Sequence, residues 1–466
     1  MTEENKEKVY DVAIIGAGPA GYVAALQAAK YGLSCVLAEK ENNLGGTCLN
    51  CGCIPTKALL AAASAFRNAK EASSFGVNIT GEVTFDYAFA KERTDKVVAR
   101  LNTGIAGMLK KANVEIKKGF AKFADKNTLL IENAEKPLET ETVKAKNIII
   151  AVGSESKELQ GLKTDGITIM NSKQALAAKD LPESCLIIGG GAIGLEFASL
   201  YNTLGVKVAV AEFAETIIPF ADKDVIAALS SSLRRQGIDI LTSFAAEKAE
   251  TREENGKKII SVTLKDIKGN TVTKEVERII CAVGVVPMLK GLDLENIPAV
   301  KVERGHIVTD KFGQTGEENI FAIGDVAAAP WLAHKASAEA VCCIKRIAGK
   351  SVKPVNLGLI PSCIYTKPQV AGFGLTEDMA KQKGYEVDVA KTYFLANGKA
   401  LAEGKSDGFT KIIKDKASGK ILGAWIVGDI AGELISNLIP LPLGEKVFPH
   451  PTMSEITGET FALLQE

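Results

Sequence analysis

Histidine is scarce in this chain, three in 466 residues, and none lies near the densest group of cysteines. A structural zinc site usually takes four Cys or His ligands, so that group is a poor candidate for one. Net charge is lacking as well: fifty-six basic residues balance fifty-six acidic ones, and no Lys/Arg block stands out. That removes the electrostatic attraction on which nucleic-acid and membrane-surface binders rely. Met1 to Lys8 is polar and charged, without the apolar core of a signal peptide, and no later run is expected to approach the length of a spanning helix. The expectation is a cytoplasmic protein whose partners are small molecules and other proteins.

What the chain does have is apolar content and sulfur. With 46% hydrophobic residues it can bury more than one core, so two to four domains are expected. Nine cysteines (Cys35, Cys48, Cys51, Cys53, Cys185, Cys281, Cys342, Cys343, Cys363) must be reconciled with a reducing compartment, where disulfides are usually catalytic or transient. Most should be buried as small apolar side chains. Cys48 and Cys53, however, lie in Gly45-Gly46-Thr47-Cys48-Leu49-Asn50-Cys51-Gly52-Cys53-Ile54-Pro55-Thr56-Lys57, at a predicted loop-to-helix junction. Pro55 suits the first turn of a helix, and the unpaired amides of that turn favour a thiolate on the preceding segment. The two read as a redox-active pair.

One unit occurs twice. Val12-Ala13-Ile14-Ile15 reads as a buried parallel strand, followed by Gly16-Ala17-Gly18-Pro19-Ala20-Gly21, a helix to about Lys30, and a second strand ending at Glu39. Cys185 to Glu212 repeats the pattern: strand Leu186-Ile187-Ile188, loop Gly189-Gly190-Gly191-Ala192-Ile193-Gly194, helix, strand Lys207 to Ala211, then Glu212. The first glycine permits the tight turn, the second lets a pyrophosphate approach the backbone, and the third allows close helix–strand packing. Two dinucleotides are implied. Each acid would hold ribose hydroxyls, and at Glu212 a carboxylate with no arginine in Phe213-Ala214-Glu215-Thr216 favours NAD over NADP.

The chain resembles the flavin-dependent pyridine nucleotide-disulfide oxidoreductases, and among them the members that oxidise dihydrolipoamide. The resemblance runs from Tyr10 to Thr460 and rests on the thiol stretch, both loops, Ala322-Ile323-Gly324-Asp325-Val326, Leu332-Ala333-His334-Lys335-Ala336, Ile364-Tyr365-Thr366-Lys367-Pro368-Gln369-Val370 and His450-Pro451-Thr452-Met453-Ser454-Glu455. It implies FAD at Gly16, Gly18, Gly21, Glu39, Gly46, Thr47, Lys57, Ala121, Asp325 and Ala333. It implies NAD at Gly189, Gly191, Ile193, Gly194, Glu196, Glu212 and Gly284, and no metal. Lys57 is then paired with Glu196 beside the flavin, Cys53 is the thiol next to the flavin, and Cys48 exchanges with substrate. His450 is the base, oriented by Glu455 and supplied by the partner subunit of a homodimer. The implied reaction oxidises dihydrolipoamide through a Cys48–Cys53 disulfide and FAD, reducing NAD. The substrate is carried on a separate lipoylated protein of a 2-oxoacid dehydrogenase complex or the glycine cleavage system.

Several positions depart from the family pattern. Cys51 stands where an apolar residue is usual, Val152 replaces threonine, Val285-Val286 lacks an arginine, Ala340 replaces glycine, and Phe448 replaces a histidine. Gly432 to Pro449 is short and proline-rich, which breaks a helix.

The expected fold class is α/β, with two Rossmann-like dinucleotide-binding domains and a C-terminal α+β dimerisation domain. The FAD domain is expected over 1–145 and 281–350, the NAD domain over 146–280, and the interface domain over 351–466. Phe409 to Ile413 and Ile421 to Val427 alternate as antiparallel strands do. Other functions stay open. A glutathione-type reductase predicts cationic residues in place of Glu212, and a mercuric-type reductase predicts a thiol pair near the C-terminus, yet the last cysteine is Cys363. A flavoprotein sensing NADH/NAD would have no dithiol turnover.

Overall fold

The computed structural model describes residues 8–133, 139–254 and 256–463, so the polar N-terminal stretch lies, but for Lys8, outside the described residues. The chain forms two compact units, each assembled from separate segments: 1–54, 96–155 and 285–357 in the first, and 55–95, 156–284 and 358–466 in the second.

In the first unit Val9–Ile15 is central to a sheet that has seven strands among the described residues. It pairs in parallel with Cys35–Glu39 on one side and Thr140–Ile150 on the other. Glu115–Lys118 and Ile320–Ala322 add further parallel strands, while Thr128–Glu132 and Phe120–Asp125 extend the sheet antiparallel. Both faces of the parallel part are covered, which is why its strands read as unbroken apolar runs rather than alternating ones. Val12 and Ile14 enter one core with the alanines of helix Pro19–Lys30, and Ala13 and Ile15 enter another. Ala20, Ala24, Ala25 and Ala28 are buried and small, so helix Ala333–Ile347 packs closely on Pro19–Lys30.

The second unit repeats the arrangement. Asp239–Thr242, Lys207–Glu212, Ser184–Ile188, Arg278–Cys281 and Ile169–Asn171 lie in that order, every neighbour parallel. A three-stranded antiparallel sheet, Phe244–Glu254, Lys257–Asp266 and Thr271–Val276, accompanies it. The C-terminal part is a five-stranded antiparallel sheet containing Phe409–Asp415 and Ile421–Gly428, paired as their alternation predicts. Helix Ala431–Leu438 covers one face through Ala431 and Ile435, while Ile413, Trp425 and Val427 on the other join Phe197, Tyr201 and Leu229 in a single core. After Leu438 the prolines at 440, 442 and 449 leave one 3₁₀ turn, Leu443–Glu445, before helix Glu455–Leu463 begins.

This unit also encloses an ion cluster. The Lys411 ammonium, fully buried, reaches Asp222 at 2.8 Å and Asp224 and Glu377 at 2.9 Å each. It ties the first turn of helix Lys223–Arg235, capped by Asp222, to the C-terminal sheet.

One expectation needs correction. Residues 46–70 are long and apolar enough to cross a membrane by length and composition, with a mean hydropathy of 1.2. The cause is the run of alanine and leucine between Ala58 and Ala65, a content that a helix with a buried face also requires. In the fold Gly52 divides the stretch into helices Gly46–Cys51 and Cys53–Lys70, and Leu59 and Ala63 are core residues.

Candidate active site

The first dinucleotide loop is shaped by what its glycines touch. Gly16, with φ +98°, lies where a Cβ would fall 2.5 Å from the Ala151 carbonyl oxygen, and a Cβ on Gly21 would fall 1.7 Å from that of Gly16. Gly18 is open except toward Gly46, leaving the approach that a pyrophosphate on a helix N-terminus needs. Glu39, buried at the end of its strand, accepts the Ala17 N–H at 2.6 Å and the Glu41 N–H at 2.9 Å. Its carboxylate thus holds the loop in shape from within. Asp325 accepts the Ser154 hydroxyl at 2.6 Å, in a turn fixed by Lys335 and Glu339. Lys335, fully buried, donates to the Gly324 carbonyl at 3.1 Å and to Glu339 at 3.0 Å, and Glu339 accepts the Gly324 N–H at 2.8 Å. Burial pushes the Glu339 carboxyl up, against the pull of the Lys335 ammonium. Ala333 opens the helix that carries these two side chains, and Ala121 is buried in Phe120–Asp125.

The thiol segment is docked on this loop. The Gly45 N–H donates to the Ala17 carbonyl at 2.8 Å, and a Cβ on Gly46 would lie 2.6 Å from the Gly18 Cα. Both glycines have positive φ, +91° and +59°, and launch the short helix that carries Thr47 and Cys48. Asn50 fastens that helix to the Leu44 and Gly46 carbonyls, and Asn102 holds Asn50 at 2.8 Å. At Gly52 the chain folds back so tightly that a Cβ would sit 2.9 Å from the Thr47 carbonyl oxygen. The fold-back brings the Cys48 and Cys53 sulfurs within 4.8 Å of each other. These two and Cys51 are half-buried, whereas Cys35, Cys185, Cys281, Cys342 and Cys343 are buried, as expected of small apolar side chains. Burial pushes the Cys35 and Cys185 thiols up to about 12 and Cys281 up to about 11, which keeps them neutral and unreactive.

In the second unit the Lys57 ammonium meets both oxygens of buried Glu196, at 2.9 and 2.8 Å. The ring of Tyr365 lies beneath it, 4.6 Å from ammonium to centroid, and the Tyr365 N–H donates to Glu196 at 3.0 Å. The tyrosine hydroxyl donates to the Pro451 carbonyl at 2.8 Å. His450 precedes that proline, and its Nδ1 lies 2.9 Å from Glu455, whose other oxygen accepts the Thr452 N–H at 2.8 Å. A carboxylate at Nδ1 assigns the proton there and leaves Nε2 to act as a base. Glu433 accepts the Met453 and Ser454 N–H groups at 2.8 and 2.9 Å, closing the turn that enters the last helix.

The second loop copies the first. A Cβ on Gly189, φ +112°, would lie 2.3 Å from the Ala282 carbonyl oxygen, one on Gly194 would lie 2.0 Å from that of Gly189, and Gly191 faces open space. Glu212 accepts the Gly190 N–H at 2.5 Å and the Ala214 N–H at 2.7 Å. Ile193 is exposed at the start of helix Ala192–Thr203, and a Cβ on Gly284, φ +107°, would meet nothing within 4 Å, while its carbonyl accepts the Lys157 N–H at 3.0 Å. Of the other histidines, His306 stacks on Trp331 in the hairpin Val302–Ile307, and His334 is buried.

Sequence reasoning missed Ser154, Lys335, Glu339 and Tyr365 as supports. The Lys335–Glu339 spacing of four on a helix was the one signal open to it.

A thiol pair docked on one dinucleotide loop, in a chain that carries a second such loop, defines a nucleotide-dependent disulfide oxidoreductase. The chain belongs to the pyridine nucleotide-disulphide oxidoreductase family, whose description matches residues 10–340, with that family's dimerisation domain over residues 360–461. It is 40% identical to the dihydrolipoyl dehydrogenase of Rhizobium etli over 97% of each chain, and 38% identical to that of Bacillus subtilis over the same shares. Among solved structures it is similar to the HOCl-induced flavoprotein disulfide reductase RclA of Escherichia coli, with TM-score 0.80, 27% identity and coverage of 98% and 100%. The fold is shared with LpdA of Mycobacterium tuberculosis, with TM-score 0.84, 23% identity and coverage of 97% and 99%.

Proposed function

We propose that this protein is an NAD-linked dihydrolipoyl dehydrogenase, acting on dihydrolipoamide carried by a separate lipoylated protein. The reading is carried by near-full-length identity of 38 to 40% to curated dihydrolipoyl dehydrogenases, together with two thiols within 4.8 Å on the first loop. Both glycine loops leave open the face a dinucleotide occupies, so the residues fit FAD at Gly16, Gly18, Gly21, Glu39, Asp325 and Ala333 and NAD at Gly189, Gly191, Gly194 and Glu212. Glu212 supports NAD, since its charge opposes a 2′-phosphate. The dimerisation domain supports a homodimer.

The exchange is a balanced pair of displacements. One substrate thiolate attacks the Cys48 sulfur of a Cys48–Cys53 disulfide, a substrate–Cys48 bond forms, and Cys53 leaves as thiolate. His450 takes the proton of the second substrate thiol at Nε2, while Glu455 on Nδ1 stabilises the imidazolium. The second thiolate attacks the substrate sulfur bound to Cys48, which closes the lipoamide disulfide and releases Cys48. Bound FAD supplies passage of the electron pair from the reduced cysteines to NAD. Lys57, held by Glu196, fixes a positive charge on the cofactor side.

The test is anaerobic addition of dihydrolipoamide to wild type and Cys48→Ser, followed by NAD. Flavin reduction and NADH formation in wild type, both abolished in the variant, are expected. A flavin that NADH reduces and dihydrolipoamide does not would reject the lipoamide assignment.

A further inference from the structure

We propose that Tyr365 is a positioning residue that couples the Lys57–Glu196 pair to the segment bearing the base. It rests on the reading above, in which Lys57 lies on the cofactor side and His450 is the base. Three contacts carry it. The Tyr365 ring lies under the Lys57 ammonium, its N–H binds Glu196, and its hydroxyl donates to the Pro451 carbonyl, one peptide from His450.

The tyrosine suits this role because it stays a neutral donor. Burial raises its pKa far above the ordinary phenol value, and Cys363, Glu196 and Glu455 around it add to the effect. A phenolate would be an acceptor facing a carbonyl, so loss of the proton would break the contact with Pro451. The segment it holds is not part of a helix or strand, and the Thr452 hydroxyl ties it locally by donating to the Pro449 carbonyl at 2.8 Å. Prolines at 440, 442 and 449 prevent a helix from running into His450, and the described backbone there is irregular apart from Leu443–Glu445. Glu433 restrains the residues after the histidine through Met453 and Ser454, whereas Tyr365 restrains the peptide next to it. Glu455 on the ring and Tyr365 on the backbone thus both bear on the direction of the His450 imidazole.

The experiment uses the flavin-loaded holoenzyme with Tyr365→Phe, which keeps the ring under Lys57 and removes only the hydroxyl. Reduction of the enzyme by dihydrolipoamide should slow about 5- to 10-fold, the size of one neutral hydrogen bond. NADH oxidation by ferricyanide, which needs no base at His450, should match wild type. A readout independent of turnover is the imidazole titration followed by NMR. With three histidines in the chain, the His450 resonance is assigned by comparison with His450→Gln. Its titration midpoint should move in Tyr365→Phe, while those of His306 and His334 stay in place. An equal fall in both reactions would mean a merely structural role and overturn the proposal, as would wild-type dithiol rate with an unmoved His450 titration. If His450→Gln keeps full dihydrolipoamide turnover, it is the assignment of the base that fails, whatever Tyr365 does.

Discussion

Replacing Lys411 by methionine should destabilise the second unit strongly at neutral pH and much less at about pH 3. The ammonium is fully buried, as is Asp222, and it is shared with Asp224 and Glu377. Burial works against the cation, yet hydrogen bonds from Asp222, Glu377 and Asp224 outweigh it and hold the lysine above its ordinary value. Glu377 is in turn held at about 2, by Lys381 first and Lys411 second. Against an ordinary 4.5, that displacement corresponds to about 3 kcal/mol favouring the charged form at pH 7. The exposed Lys381 pair survives the substitution, so roughly half of this is lost with Lys411. Asp224 is also held low by Lys411, with Lys391 nearby, and Asp222 would be left as a buried charge without its cation. Removing one partner of a buried ion cluster costs about 3–5 kcal/mol in general, and these parts agree with it.

The pH dependence follows from the sign of each shift. In wild type the depressed carboxylates contribute stability above their unfolded pKa and lose it as pH falls toward 2. In the variant Glu377 keeps Lys381 and Asp224 keeps Lys391, so part of their depression remains, and with the shared cation gone protonation at low pH costs the folded form less than it does in wild type. The gap between the two proteins should therefore be about 6–10 °C in the unfolding transition at pH 7.5 and, below the ordinary 4.5 of Glu377 and 3.8 of Asp224, less than half of that at about pH 3. Thermal melts of wild type and Lys411→Met at both values measure it. A gap that is absent at pH 7.5, or equal at both pH values, would refute the electrostatic account.

Gly46→Ala should lower flavin content and stability together. Its φ of +59° and the 2.6 Å approach to Gly18 oppose any side chain, at a combined cost of about 2–4 kcal/mol, and flavin absorbance per purified chain reports the loss. Glu196→Gln should destabilise by about 2–3 kcal/mol, because Lys57 keeps its charge in a site with little water, and urea unfolding reads this directly. Glu212→Gln should raise the KM for NAD about 10-fold, the loss of a charge-assisted contact. It should leave reduction by dihydrolipoamide unchanged, which a stopped-flow comparison of the two half-reactions separates.

Much of the candidate site was legible because its chemistry is local. Gly16 and Gly189 must turn where a Cβ would strike the Ala151 and Ala282 carbonyls, and that need shows as glycine after an apolar strand. Cys48, Cys53 and Pro55 fall within eight residues, and His450 and Glu455 are five apart, so their association needs no knowledge of distant chain. Residues 46–70 were harder to read, since hydropathy measures apolar content and is blind to the break at Gly52.

By itself, then, the sequence determined the two strand–loop–helix–strand units, the thiol pair and the histidine–carboxylate pair, because each is set by backbone geometry or bonding over a short span. The tertiary structure alone decided that Gly46 seats the thiol helix against Gly18, that Glu39 and Glu212 hold their own loops, and that Lys411 gathers Asp222, Asp224 and Glu377. It also decided that Tyr365 stands between Lys57 and Pro451, more than 80 residues away at its nearer end. Such contacts join residues remote in the chain, and their free energy depends on burial and mutual orientation, quantities that exist only once the whole core has closed.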